Sequence, residues 1–225
     1  MQDTGLNILA IAIFSITLSV LLGPLFNLSP FIPASLTFVM LSLITIDTLS
    51  WKNQGVNLLL NIFASKEEKE RIVYHEAGHF LTAYFYDIPI IDYSLSPWEA
   101  VNKKISGSGG VIFDNNFIPN KKSQDLKEFN SIIERFGVVL MAGIAAEKFI
   151  YNNSEGGQED RQKFQEIYSN LTLTYSNFQL KQRLAIIQAT AIIEQNKESY
   201  LALVEAMKQR KSVAECQAII QLVNK

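Results

Sequence analysis

Apolar residues run almost unbroken through the first fifty positions. Between Asp3 and Asp47 lie 43 residues without a charge. A membrane-crossing helix needs roughly 20 apolar residues, so this run accommodates two spans, at about 6–22 and 34–51. The stretch between them, GPLFNLSPFIP, carries Gly23, Pro24, Pro30 and Pro33, which break a helix and favour a tight turn. The pattern predicts a membrane-embedded helical hairpin over residues 1–52. A cleaved signal peptide fits less well, because the start MQDTG has no basic residue. A buried soluble hairpin is the other alternative, and so long an uncharged run argues against it.

The pattern changes after Trp51. Residues 53–64, NQGVNLLLNIFA, are apolar but short, as expected of a juxtamembrane or interfacial segment. Ser65 and Glu68 form an S-x-x-E capping pattern. A helix is expected from about Lys66 to Tyr86, stopping before Pro89. IPIIDYSLSP then reads as a strand, and SGSGGVIF as a glycine turn entering a second one. From Ser123 to Ile150 apolar residues recur three and four apart, at Leu126, Phe129, Ile132, Ile133, Phe136, Val139, Leu140 and Ile144, which predicts a helix. YNNSEGG is a loop, and another helix begins near Gln158. Two or three more occupy 179–225, one starting at Ser212 with Glu215 three residues on. Residues 65–225 thus read as one mainly α domain with a small β-sheet.

Charge sharpens this division. All 20 basic residues and all but two of the 22 acids lie beyond position 51. Lys52, Lys66, Lys69 and Arg71 follow the second span and none precedes the first, so the main domain and the N-terminus are expected on the cytoplasmic side, or its stromal or matrix equivalent. Asp47 is expected to be interfacial. A net charge of −2 gives no basic excess for binding nucleic acid. The single cysteine, Cys216, excludes an internal disulfide and a cysteine-rich zinc site, and is expected to be a small core residue.

The chain has two histidines, and both fall in one motif, His75-Glu76-Ala77-Gly78-His79. On a helix, residues four apart share a face, so two imidazoles can grip one ion. Neutral imidazole suits zinc, and two ligands leave room for a third and for water. Glu76 then stands where it can act as general base toward that water. With no other histidine, the third ligand must be a carboxylate. Glu147 and Asp160 are both candidates, one near the end of a predicted helix and the other at the start of the next.

Several segments resemble the protease domain of the FtsH-type membrane-anchored AAA proteases, over about 65–225. HEAGH matches that family's zinc motif, and IPIIDYSLSP followed by GGVIF resembles the strands after it. Met141–Phe149, MAGIAAEKF, resembles the family's LGGRAAEEL. Glu155–Phe164, EGGQEDRQKF, resembles its TTGASNDLxxAT. The C-terminal run ATAIIEQNKESYLALVEAMKQRKSVAECQAII resembles its last helices. The resemblance implies an FtsH-like helical zinc-peptidase fold with Zn2+ held by His75, His79 and Asp160. It assigns Glu147 to orienting a ligand histidine. It also implies that the strand Gly109, Gly110, Val111, Ile112 and Phe113 binds extended substrate along its edge, against the plainer reading of an ordinary sheet strand.

The chain also departs from that family. Only about 14 residues separate the second span from the motif helix, where FtsH-type proteins carry an ATPase. No G-x-x-x-x-G-K-[ST] occurs, so no nucleotide is expected. Phe80 stands where the family has a small alanine, and Gln158-Glu159 where it has Ser-Asn. The sequence therefore predicts a membrane-anchored, ATP-independent zinc endopeptidase acting on unfolded or membrane proteins, in a plasma or thylakoid membrane. The resemblance allows a hexamer or association with a membrane AAA protease. The alternative is a non-proteolytic module that assembles with or regulates such a complex, although a scaffold has no need of Glu76.

Overall fold

The computed structural model describes residues 2–27, 29–50, 54–103, 110–117, 126–169 and 175–224. Among these the protein is mainly α-helical with one two-stranded antiparallel sheet. It forms two compact units, Met1–Glu68 with Ser96–Gly109, and Lys69–Leu95 with Gly110–Lys225.

In the first unit, α1 (Gln2–Leu22) and α2 (Phe31–Ser50) flank a short 3-10 turn at Gly23–Phe26. The expected spans fall within these helices, except that Trp51 lies outside the described residues. α2 is long and apolar enough to cross a membrane, with 6% of it buried, while the stretch Ala10–Leu22 is apolar but shorter. The segment expected to be interfacial is a helix, α3 (Gln54–Phe63). Asp47 determines where α3 starts. Its buried carboxylate accepts the Gly55 and Val56 amides at 2.8 and 2.9 Å, which would otherwise lack partners at a helix N-terminus.

The expected strand IPIIDYSLSP is too long. β1 covers Ile90–Ser94, and α5 (Pro97–Asn102) follows at once. Ser96 accepts the Glu99 amide and Pro97 fills the first turn, a strong helix start that ends the strand. The glycine turn expected before the second strand lies outside the described residues.

The second unit is built on α4 (Lys66–Phe85) and α6 (Leu126–Tyr151). α4 begins at the expected capping box, with reciprocal Ser65 and Glu68 bonds at 2.8 and 3.1 Å. A Cβ at Gly78 would lie 2.6 Å from the Ala142 carbonyl and the Ala146 Cβ. Only glycine lets the two helices approach this closely. α7 (Gln158–Ser169), α8 (Tyr175–Gln195), α9 (Lys197–Lys208) and α10 (Val213–Val223) complete the unit. The Ser212–Glu215 capping box opens α10 as expected, and Cys216 is buried. Phe80, Met141, Ile144, Phe164, Ile193, Tyr200 and Met207 form the core. Tyr200 also ties α9 to α4 by donating to the Tyr74 carbonyl at 2.8 Å.

β2 (Gly110–Phe113) pairs with β1, with Tyr93 opposite Val111, Ser94 opposite Gly110, and a bulge at Ile91. On the β1 side, the Gly110 amide donates to Ser94 Oγ and the Asp114 amide to the Pro89 carbonyl. Amides alternate along a strand, so those of Val111 and Phe113 face the opposite edge. Among the described residues no third strand covers that edge.

Candidate metal centre

His75 and His79 sit on one face of α4, both buried, with ring centroids 4.8 Å apart. Each ring is fixed through Nδ1. His75 Nδ1 meets Glu147 Oε1 at 2.7 Å, and His79 Nδ1 meets the Val139 carbonyl at 2.7 Å. This anchoring turns both Nε2 atoms toward Asp160. Asp160 Oδ2 lies 3.0 Å from His75 Nε2 and 3.5 Å from His79 Nε2. Asp160 belongs to the first turn of α7, where a helix terminus favours a carboxylate.

α6 leaves room for the cluster at Gly143. A Cβ there would lie 2.3 Å from His75 Nε2. A side chain at this position would occupy the space where the imidazole now sits.

The three ligand atoms lie within 4.8 Å of one another. Two imidazole nitrogens and a carboxylate oxygen, buried and facing each other, match the donor set of a divalent transition metal. The cluster can therefore hold such an ion. Of the two carboxylates left open by the residue spacing, Asp160 faces both Nε2 atoms, whereas Glu147 meets His75 on the far side of the ring.

The electrostatics agree with this geometry. Burial disfavours charge on His75, but hydrogen bonds to Asp160 and Glu147 and the charges of Asp160 and Glu76 outweigh it, raising its pKa to about 10. Burial raises Asp160, yet the nearby His79 and the bond to His75 hold it well below the usual carboxylate range. Burial also raises Glu147, and the His75 bond, the Glu155 amide and Arg71 together bring it down to about 2. A cation bound here would compete with protons for the same side chains.

Glu76 does not join the cluster. Its Oε2 accepts the Val111 amide at 3.0 Å, on the uncovered edge of β2. The base candidate and Gly110, Val111, Ile112 and Phe113 of the substrate-strand candidate are therefore neighbours. Gly109 lies outside the described residues. Phe80 points away into the core, edge-on to Tyr93 at 6.2 Å.

Sequence reasoning missed four partners. The Val139 carbonyl has no side-chain signature. Arg71 was visible one turn before His75, but its partners are remote in sequence. The Glu155 and Gly156 amides, which bind Glu147 at 2.8 and 3.1 Å, depend on the shape of a loop. No protein-family model matches the chain, and no curated protein matches it significantly.

Proposed function

We propose that the protein is a membrane-anchored, ATP-independent zinc endopeptidase of the FtsH type, acting on unfolded or membrane proteins. The observation that carries this reading is the buried His75, His79 and Asp160 cluster with Glu76 beside it at the uncovered edge of β2. A zinc ion held by the three side chains would supply Lewis acidity toward a water and a scissile carbonyl.

The chain's own residues do the rest. An extended substrate adds along β2, with its backbone bonding the outward Val111 and Phe113 amides. Its carbonyl takes the Val111 amide from Glu76. The freed carboxylate accepts a proton from the attacking water and delivers it to the leaving amine nitrogen. Glu147 keeps the proton of His75 on Nδ1, so that Nε2 remains a ligand. No nucleotide enters this scheme, and without a motor the substrates are segments already unfolded. α1 and α2 anchor the chain, with the peptidase on the cytoplasmic or stromal side of a plasma or thylakoid membrane.

The test is cleavage of unfolded casein by the full chain in detergent, with zinc content measured alongside. One zinc per chain is expected. ATP-free cleavage is expected too, falling by at least about a hundredfold in Glu76→Gln as loss of a general base requires. Zinc-loaded protein that cuts nothing, with or without the substitution, would leave a non-proteolytic module instead.

A further inference from the structure

Arg71 lies one helical turn before His75 on α4 and is 9% exposed. A buried guanidinium persists only where its donors are used. Nη1 donates to Glu147 Oε2 at 3.2 Å and to Asn153 Oδ1 at 3.0 Å. Nη2 meets Glu155 Oε1 at 3.2 Å, and the guanidinium lies over the Tyr151 ring at 4.2 Å. All four partners lie at the end of α6 or in the loop from α6 to α7. None is on Arg71's own helix.

Two of these partners lead to the metal cluster. Glu147 joins Arg71 to His75 Nδ1 through its two oxygens. The same carboxylate takes the Glu155 and Gly156 amides, and Arg71 binds the Asn153 and Glu155 side chains. This loop runs directly into the first turn of α7, which carries Asp160. One guanidinium thus braces both a ligand histidine and the segment that delivers the third ligand.

We propose that Arg71 is a positioning residue for the metal centre. Through Glu147 it sets the His75 ring, and through the 152–157 loop it sets Asp160. The inference rests on the metal reading of His75, His79 and Asp160 and does not require peptide hydrolysis. A residue that merely tied α4 to α6 would change the melting temperature and leave ligand geometry alone. A positioning residue changes the affinity and the coordination geometry of the metal.

The experiment uses the full chain in detergent, with zinc affinity from chelator competition and the visible absorption of the cobalt(II)-loaded protein. Arg71→Met is expected to weaken zinc about 10- to 100-fold, the range for removing an outer partner of a ligand, and to alter the cobalt bands. Arg71→Lys keeps the charge but not the planar fork, so its loss is smaller, about threefold to tenfold. Zinc affinity within about twofold of wild type in Arg71→Met, with unchanged cobalt bands, overturns the proposal whatever the melting temperature. If Arg71→Met loses its helical signal, Arg71→Lys decides by the same two readouts. Wild-type protein that takes no zinc overturns both this inference and the metal reading. Cleavage enters none of these measurements, so failure of the peptidase reading is a separate result.

Discussion

α2 and α6 are alike in their share of apolar residues and opposite in setting. Each is long and apolar enough to cross a membrane, yet 6% of α2 is buried against 61% of the apolar part of α6. α2 shows large side chains on every side, among them Phe31, Phe38, Leu43 and Leu49, all exposed. α6 instead places Ala142, Gly143, Ala145 and Ala146 close together, all buried, followed by the buried Glu147. Small residues admit α4, and the buried carboxylate is fully used by His75, Arg71 and loop amides. The number of apolar residues does not separate these two helices. The size of those residues does, since each helix carries a buried carboxylate that accepts backbone amides, Asp47 in α2 and Glu147 in α6.

A matched pair of lysines tests that contrast most severely. Ile144→Lys in α6 places a charge in the core without a partner and is expected to abolish the fold, with a cost above about 4 kcal/mol. Leu43→Lys in α2 is expected to leave zinc binding intact. It should cost about 2.5–3.5 kcal/mol in a membrane-insertion assay of α2. Equal effects from the two substitutions would erase the distinction.

Gly143→Ala comes next. Its methyl would overlap the His75 ring, so the protein should lose stability by about 1–3 kcal/mol and most of its capacity to hold a divalent metal. Circular dichroism melting and metal analysis would show this. Undiminished metal binding would mean that α6 does not need a glycine there.

Acid separates the two helices more gently. Glu147 titrates near 2 in the folded state, below its usual 4.5. A lowered folded pKa means that the stabilisation is complete above about 4.5 and drains away as pH falls toward 2. The second unit should therefore melt progressively earlier across that window. The smallest effect belongs to Glu134→Gln at the outer surface of α6. Glu134 pairs with Lys181 in solvent, and its loss should change stability by no more than about 1 kcal/mol.

Local signals were the legible ones. The S-x-x-E starts at Ser65 and Ser212, the three-and-four spacing of α6 and the proline beyond α4 act within a turn or two, and each marks its element. Ser96-Pro97 carried the same kind of signal for α5, but the β-branched run before it masked the start. The pair of histidines was legible because helix geometry alone brings residues four apart together. The choice of Asp160 over Glu147 was not legible from spacing, since both are acids near helix ends. In the fold Asp160 is the one that faces both Nε2 atoms, which the Val139 carbonyl and Glu147 itself turn toward it. Arg71 was illegible for the same reason, because its partners lie more than seventy residues away.

The Glu76 bond to Val111 has a bearing on how the protein keeps to itself at high concentration. A bare strand edge is a template for any passing chain, including another copy of the same protein. Here the edge of β2 carries a negative charge seated on one of its two outward amides, so a casual strand must expel a carboxylate before it can zip on. Glutamine at position 76 keeps an oxygen for that amide, whereas alanine strips the edge. An alanine variant would be expected to clump where the glutamine variant stays dispersed, and light scattering would distinguish them.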